Sequence, residues 1–195
     1  MTPVRPSVVV LAGPNGAGKS TVAPALLRGA LAVDEFVNAD VIARGLSAFD
    51  PEGAAIAAGR VMLARVHELA ARRVSFAFET TLASRSFAPW LRNLRLSGYE
   101  VRLVFLWLPS ADFAIERVAE RVRAGGHNVQ AETVRRRYRA GLRNFFSLYD
   151  PLASSWRLYD SSTPEPRLIA TRVDSQPPTV YDEDTWQLVK RQGAA

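Results

Sequence analysis

The run Gly13-Pro14-Asn15-Gly16-Ala17-Gly18-Lys19-Ser20, followed by Thr21, carries the plainest chemistry in this chain. It fits the spacing G-x-x-x-x-G-K-[ST] in full. Its glycines let the backbone curl until successive N–H groups point at one phosphate chain. The helix that follows presents the positive end of its dipole to the same anion. In that arrangement Lys19 reaches the β- and γ-phosphates of ATP or another nucleoside triphosphate, and the Ser20 hydroxyl binds Mg2+. The spacing has this meaning only between a strand and a helix. Ser7–Ala12 (SVVVLA) reads as a strand buried on both faces, and Lys19 to about Leu27 as a helix. An ordinary glycine-rich turn is the bland alternative, and the full pattern in this context argues against it.

Two carboxylates and two arginines are the next candidates. Asp40 follows a second predicted strand, Glu35–Ala39, and Glu79 follows a third, Val74–Phe78. In open parallel sheets the ligand crevice lies outside those strand ends. There Asp40 takes a proton from an attacking hydroxyl while Lys19 and Mg2+ neutralise the developing charge. The competing reading has Asp40 only capping a helix that begins at Val41. Glu79 binds an acceptor hydroxyl or a magnesium-bound water, or else pairs with an arginine. The basic stretch Glu116–Arg139 is broken at Gly125-Gly126, with Arg117 and Arg121 on one helix face. It reads as a lid over residues 117–138 whose guanidinium groups close on the transferring phosphoryl, against the plainer reading of a solvated face. His127, at the hinge tip, is a lid contact or a solvent-exposed residue.

The elements that must position these residues alternate strand with helix almost to the end. After Asp50 as N-cap and Pro51, a long helix carries Ile56, Leu63, Val66 and Ala70 as an apolar stripe flanked by Met62 and Leu69, with Gly59 on the same face letting a neighbouring element approach closely. A helix at Ala88–Leu96 and a strand at Val101–Leu108 follow. Helices are then expected at Ala111–Arg123 and Ala131–Phe146, and short strands at Trp156–Tyr159 and Leu168–Thr171. The expected fold is α/β: stacked βαβ units on a mostly parallel sheet of five to six strands, with helices on both faces and a helical lid. A domain over residues 1–175 would leave 176–195 as a tail with a small helix, Asp182–Arg191.

Composition agrees and excludes several function classes. Of 195 residues, 48% are hydrophobic and 23% charged, an ordinary globular balance with room for a core. No cysteine is present, so disulfides, thiolate metal sites and cysteine nucleophiles are out. His67 and His127 alone cannot build a multi-histidine metal site. Lys+Arg number 25 against 19 Asp+Glu, a formal charge of +6, and all but Lys19 and Lys190 of the basic residues are arginine. Arginine suits anionic partners, although a GC-rich coding bias gives the same excess. No apolar run reaches a membrane span. The short apolar run near Arg5 flows into the glycine loop instead of a cleavage site, so a cytoplasmic protein without membrane contact is expected.

Which phosphate-loop protein this is depends on residues further along. The wording GPNGAGKST is shared with ABC-transporter ATPases, but Leu96-Ser97-Gly98-Tyr99-Glu100 is no LSGGQ signature, and the strand through Val104–Leu108 ends in Pro109 instead of an acid. A nucleotide-binding regulator or nucleic-acid-associated NTPase would grip a phosphodiester backbone with Arg135, Arg136, Arg137, Arg139 and Arg143. Those arginines do not keep to one face, only Tyr138 is interleaved among them, and no nucleic-acid module is recognised.

Taken together, GPNGAGKST (13–21), FVNAD (36–40), AAGR (57–60), FETTLASR (78–85), IERVAERVRAGGH (115–127), RRRY (135–138) and YDSS (159–162) make the chain resemble the zeta-toxin family, in its short bacterial branch of zeta-like ATPases. The resemblance implies a P-loop NTPase fold, a three-layer αβα sandwich, and a kinase that uses ATP and Mg2+ to phosphorylate a sugar hydroxyl of UDP-N-acetylglucosamine. It implies Asp40 as base, Lys19 as phosphate-loop lysine, Arg117 as first lid arginine and Glu79 as an acceptor-binding group. Thr80, Arg60 and Arg85 fall in the matching motifs as further substrate-binding candidates. A family member acting as a toxin would also have a cognate antitoxin that blocks the nucleotide cleft. The large zeta toxins carry a second lid arginine where this chain has the His127 neighbourhood, leaving its task to Arg121 or Arg123.

Overall fold

The computed structural model describes residues 5–126 and 128–194. The β-branched run Ser7–Ala12 is β1, buried along its whole length. It is followed by α1, Lys19–Pro24, which widens into a π-helical turn over Ala25–Ala30. Pro24 has no N–H for the carbonyl four residues back, and that missing bond accounts for the change of pitch. Then come β2 (Glu35–Val37), α2 (Ala39–Leu46), α3 (Ala55–Ala71), β3 (Phe76–Thr80), α4 (Phe87–Leu96) and β4 (Glu100–Trp107). The chain continues through α5 (Ala111–Arg123), α6 (Ala131–Asn144), β5 (Ser155–Asp160), β6 (Arg167–Val173), β7 (Thr179–Val180) and α7 (Glu183–Ala194).

Among the described residues these strands form one seven-stranded sheet in the order β2-β3-β1-β4-β5-β6-β7. The first five run parallel, β6 runs against them and β7 turns back antiparallel to β6, so the expected α/β sandwich on a mostly parallel sheet is what the chain adopts. The seventh strand is the two-residue Thr179–Val180, too short for a pattern to announce it. The connection from β1 to β2 passes β3, and that from β3 to β4 passes β1 in the other direction. Right-handed crossovers send these two connections to opposite faces, which opens a crevice beyond the C-terminal ends of β1 and β3.

Each face has its own core. One packs α3, α4, Phe145, Tyr149 and α7 against Val8, Val10, Phe76, Phe78 and Phe105. The other packs Ala23 and Leu27 with Ala114, Val118, Val134 and Tyr138 against Val9, Leu11 and Leu106. The helix α6 joins both, with Val134 and Tyr138 in one core and Leu142 in the other, so it crosses from face to face. Its crossing point lies at the C-terminal edge of the sheet. There the Tyr138 hydroxyl meets the Leu108 carbonyl at 2.7 Å, just beyond β4. A Cβ on Gly141 would run into the Thr81 carbonyl just beyond β3. On the far side, Gln192 of α7 accepts from the Trp107 indole and donates to the Pro109 carbonyl, both at 2.9 Å.

Three local expectations are corrected. The buried stripe of α3 is Ala58, Met62, Val66 and Leu69, whereas Ile56 is 75% and Leu63 43% exposed. Both sets have helical spacing, and only tertiary packing chooses between them. Gly59 is approached by nothing, since a Cβ there would meet open space. Asp50 caps the turn before α3 instead of the helix itself, accepting from the Gly53 N–H at 2.9 Å. No helix among the described residues is long and apolar enough to cross a membrane.

Candidate active site

The glycine loop leaves β1 with Gly13 at φ +142°, Gly16 at +83° and Gly18 at +76°, a region that side chains rarely enter. Two of these positions are also tight. A Cβ on Gly13 would press on the Leu106 carbonyl, and one on Gly16 would lie 2.8 Å from the Ala114 carbonyl. The loop is thus wedged between β4 and α5. From the other side the Ser161 hydroxyl, just past β5, donates to the Ala17 carbonyl at 2.8 Å. Lys19 curls back over the loop, its Nζ donating to the Gly13 and Pro14 carbonyls at 2.9 Å each and lying 3.6 Å from Glu79 Oε1. Its side chain is only 6% exposed. Burial pulls its pKa below the ordinary lysine range, against the opposing pull of Glu79 and of Asp40.

Glu79 pairs with Lys19, not with an arginine, and its position in β3 beside Leu11 of β1 sets it at the crevice. Its other oxygen accepts from the Ser20 hydroxyl at 2.8 Å and from Asn38 Nδ2 at 2.7 Å, and that Asn38 nitrogen also reaches Ser20 Oγ at 3.1 Å. The Asn38 side chain works at both ends. Its Oδ1 accepts from the backbone N–H groups of Asp40 at 2.8 Å and Val41 at 3.3 Å, which makes it the N-cap of α2. The reading in which Asp40 merely caps a helix from Val41 is therefore set aside: α2 begins at Ala39, and Asp40 lies in its first turn with its side chain exposed.

Two cavities meet here. One of about 210 Å3 is lined by Asn15, Gly16, Gly18, Lys19, Ser20 and Thr21 of the loop with Arg117 and Arg121 of α5. The other, of about 450 Å3, is lined by Asn38, Ala39, Met62, Thr80, Thr81, Ala83, Ser84 and Phe87 together with Arg136 and Arg137 of α6. Asn15, Lys19, Asp40 and Glu79 border both. The larger volume falls in the usual range of small-molecule pockets. Its rim from Thr81 to Ser84 is held in place from α6 and beyond. Leu82 sits at φ +56°, a costly value for a leucine. Its N–H donates to Thr80 Oγ1 at 3.1 Å, and its carbonyl accepts from Asn144 Nδ2 at 2.8 Å. The Tyr149 hydroxyl donates to the Ser84 carbonyl at 2.6 Å.

The residues singled out from sequence are thus brought together in large part. The loop residues Gly13–Thr21, Asp40, Glu79, Thr80, Arg117 and Arg121 gather at the crevice, though Gly13, Pro14 and Ala17 act as its frame and line neither cavity. Arg60 on α3 and Arg85 before α4 are exposed and border neither cavity. His127 lies outside the described residues. Three groups had not been assigned to the crevice: Asn38, Arg136 and Arg137, the two arginines having been weighed only for a nucleic-acid backbone. Arg137 is half-buried and reaches Asn15 Oδ1 at 3.4 Å. Burial lowers its pKa, with the Asp40 charge opposing. Asn38 had a usable signal, since Asn two residues before Asp40 at a strand–helix junction is an N-cap pattern. For Arg136 and Arg137 the spacing alone held no signal that distinguished them from their neighbours.

Chemically, the crevice offers the glycine loop on one side, a lysine and two carboxylates on the shared wall, and a cavity for a second molecule on the other. Ser20 Oγ and Glu79 supply the hard oxygen donors that suit a magnesium ion.

Known proteins share the fold. The profile of an AAA domain family, AAA_33, matches residues 8–147. An uncharacterized protein of Haemophilus influenzae is 29% identical over 126 residues, 65% of this chain and 88% of its own. Among solved structures, a chain of the AvrRxo1-ORF1:AvrRxo1-ORF2 complex with sulphate ions superposes with a TM-score of 0.76 at 16% identity, over 95% of this chain. The chain spans only 63% of the length of that AvrRxo1 chain. The same complex has also been crystallised with ATP and matches with a TM-score of 0.73. A chain from the PezAT chromosomal toxin–antitoxin system of Streptococcus pneumoniae gives 0.63 at 12% identity, over 98% of this chain and 87% of its own. At these identities the likeness to solved structures is one of fold.

Proposed function

The chain belongs to the AAA domain family AAA_33, and from that premise we propose that it is a phosphotransferase that moves the γ-phosphoryl group of ATP to an alcohol. The observation that carries this reading is the shared wall: Lys19 and Asp40 border the nucleotide-side and the acceptor-side cavity alike. In it the loop N–H groups and Lys19 hold the β- and γ-phosphates, and Ser20 with Glu79 holds Mg2+. Such an ion, when bound, would offset the negative charge of the phosphates. Asp40 accepts the proton of the acceptor hydroxyl as that oxygen attacks phosphorus in line. Arg117 and Arg121 meet the charge on the transferring group from the side of α5. Asn38 keeps Glu79 and Ser20 in register. Thr80 lines the acceptor side.

Residues 117–138 form the lid in this reading, within a kinase domain of residues 1–175, with 176–195 as an appended segment. The motif resemblance to zeta toxins supports UDP-N-acetylglucosamine, or a related small metabolite, as acceptor. That resemblance and the toxin–antitoxin system named for the Streptococcus pneumoniae structure support a cognate antitoxin as partner. A nucleic-acid partner is less favoured, because Arg137 turns into the crevice and Arg135 pairs with Asp112 at 3.0 Å instead of joining one basic face.

The test is incubation of the pure protein with labelled ATP, Mg2+ and a panel of nucleotide sugars and metabolites, read by mass spectrometry. A product heavier by one phosphoryl group is expected with wild type and not with Asp40→Ala, while Asp40→Ala still binds nucleotide. Equal transfer by both proteins would remove Asp40 from its role.

A further inference from the structure

The acceptor-side cavity has an unbalanced charge. Its cations are Lys19, Arg136 and Arg137, and its anions Asp40 and Glu79. Glu79 is committed to Lys19, Ser20 and Asn38. Asp40 is the carboxylate nearest in effect to Arg137, whose charge it supports. That leaves Arg136, which also lines the cavity, and among the described residues it forms no ion pair with a carboxylate. The opposite rim adds the hydroxyl-bearing Thr80, Thr81 and Ser84, and Met62 and Phe87 supply apolar floor.

Two consecutive arginines lining one cavity suit a phosphate or carboxylate, which accepts from planar N–H forks. Arg137 has already given up part of its hydration, so a ligand anion meets it at reduced desolvation cost. The pair is also held steady. Gly141 packs against Thr81 one helical turn further on, and Asn144 fastens the same helix to Leu82, so α6 cannot slide along the rim.

We propose that Arg136 and Arg137 form an anion subsite in the acceptor-side cavity, so that the acceptor is an alcohol already bearing a phosphate, diphosphate or carboxylate group. This rests on the kinase reading and narrows it: Arg117 and Arg121 serve the transferred group, and the α6 pair serves the acceptor's own charge. Neutral polyols lack the handle.

The experiment has two arms. In the first, inorganic pyrophosphate is titrated against the protein saturated with Mg2+ and a non-hydrolysable ATP analogue, which fills the glycine loop. Arg136→Ala, at an exposed helix position, is expected to weaken pyrophosphate binding about tenfold or more, with Arg136→Lys in between. Equal affinity in wild type and Arg136→Ala, with unchanged thermal unfolding, would overturn the subsite, as would a wild type that binds no pyrophosphate. In the second arm, sugar phosphates, nucleotide sugars and hydroxy acids are compared with their uncharged counterparts as acceptors. Wild type is expected to favour the charged member of each pair, and Arg136→Ala to lose that preference through KM more than kcat. The productive pairs tell phosphate from carboxylate. A neutral alcohol phosphorylated as well as its charged counterpart sinks the subsite and leaves the kinase standing. Arginine-dependent pyrophosphate binding with no phosphorylated product does the reverse.

Discussion

The two cavities that share Asp40 are built in opposite ways. The nucleotide side is local: six of its lining residues fall between Asn15 and Thr21, and α5 adds Arg117 and Arg121. Its chemistry is backbone chemistry, needing glycines at positive φ and a helix N-terminus, both of which are written in a contiguous stretch. The acceptor side draws on α2, α3, the loop after β3, the start of α4 and α6. No segment of it would keep its shape alone. Its rim stands because Asn144 and Tyr149 hold the Leu82 and Ser84 carbonyls from more than sixty residues away. In the proposed kinase, phosphate binding is thus a property of one turn of chain, and acceptor choice a property of the packed whole.

That contrast can be attacked directly. The largest effect is expected from Lys19→Ala, which removes a charge from both cavities: nucleotide affinity and turnover should fall together, turnover by about 10²- to 10³-fold or more. Isothermal titration with ATP beside a kinase assay reads it, and a variant with unchanged nucleotide affinity would contradict the local picture. Asp40→Asn should lower kcat by about 10²- to 10⁴-fold while ATP binding persists. Asn38 separates capping from positioning. Asn38→Asp keeps a helix cap but sets a second carboxylate against Glu79, so turnover should drop more than stability. Asn38→Ala should also cost about 1 kcal/mol of unfolding free energy, measured in urea. Gly141→Ala probes the acceptor side alone. Pushing α6 off the Thr81 carbonyl should destabilise by about 1–3 kcal/mol and raise the acceptor KM, with ATP affinity nearly untouched. An equal loss of ATP affinity would show that the two cavities are not separable.

The smallest effect near neutral pH concerns protonation of Lys19. Its pKa is lowered from 10.5 chiefly by burial, so ATP affinity should begin to fall, as pH rises, before the range where an exposed lysine discharges. Between the lowered value and 10.5 the unfolded chain holds more protons than the folded one, so the ligand-free protein should gain a little stability as pH rises there. Titrations between neutral and mildly alkaline pH would read both.

Legibility from sequence followed the same division. The loop, the alternation of strand and helix, and the carboxylates Asp40 and Glu79 could be read because each depends on short-range pattern. The stripe of α3 could not, since Ile56 and Met62 both fit a helical period and only the neighbouring layer decides which is buried. Arg136 and Arg137 were visible as members of a basic helix, but their direction was not. It depends on α6 crossing the edge of the sheet, which Tyr138 and Leu142 bring about by entering different cores. Arg60 and Arg85 failed to line the crevice for the converse reason: motif membership says nothing about which way a side chain points.

The partition between the cavities is a single layer of side chains, in which Asn15, Lys19, Asp40 and Glu79 each border both. An inhibitor joining an adenosine polyphosphate to an anionic alcohol would therefore need little tether. Its second half would then dock at high effective concentration, giving tighter inhibition than either fragment alone.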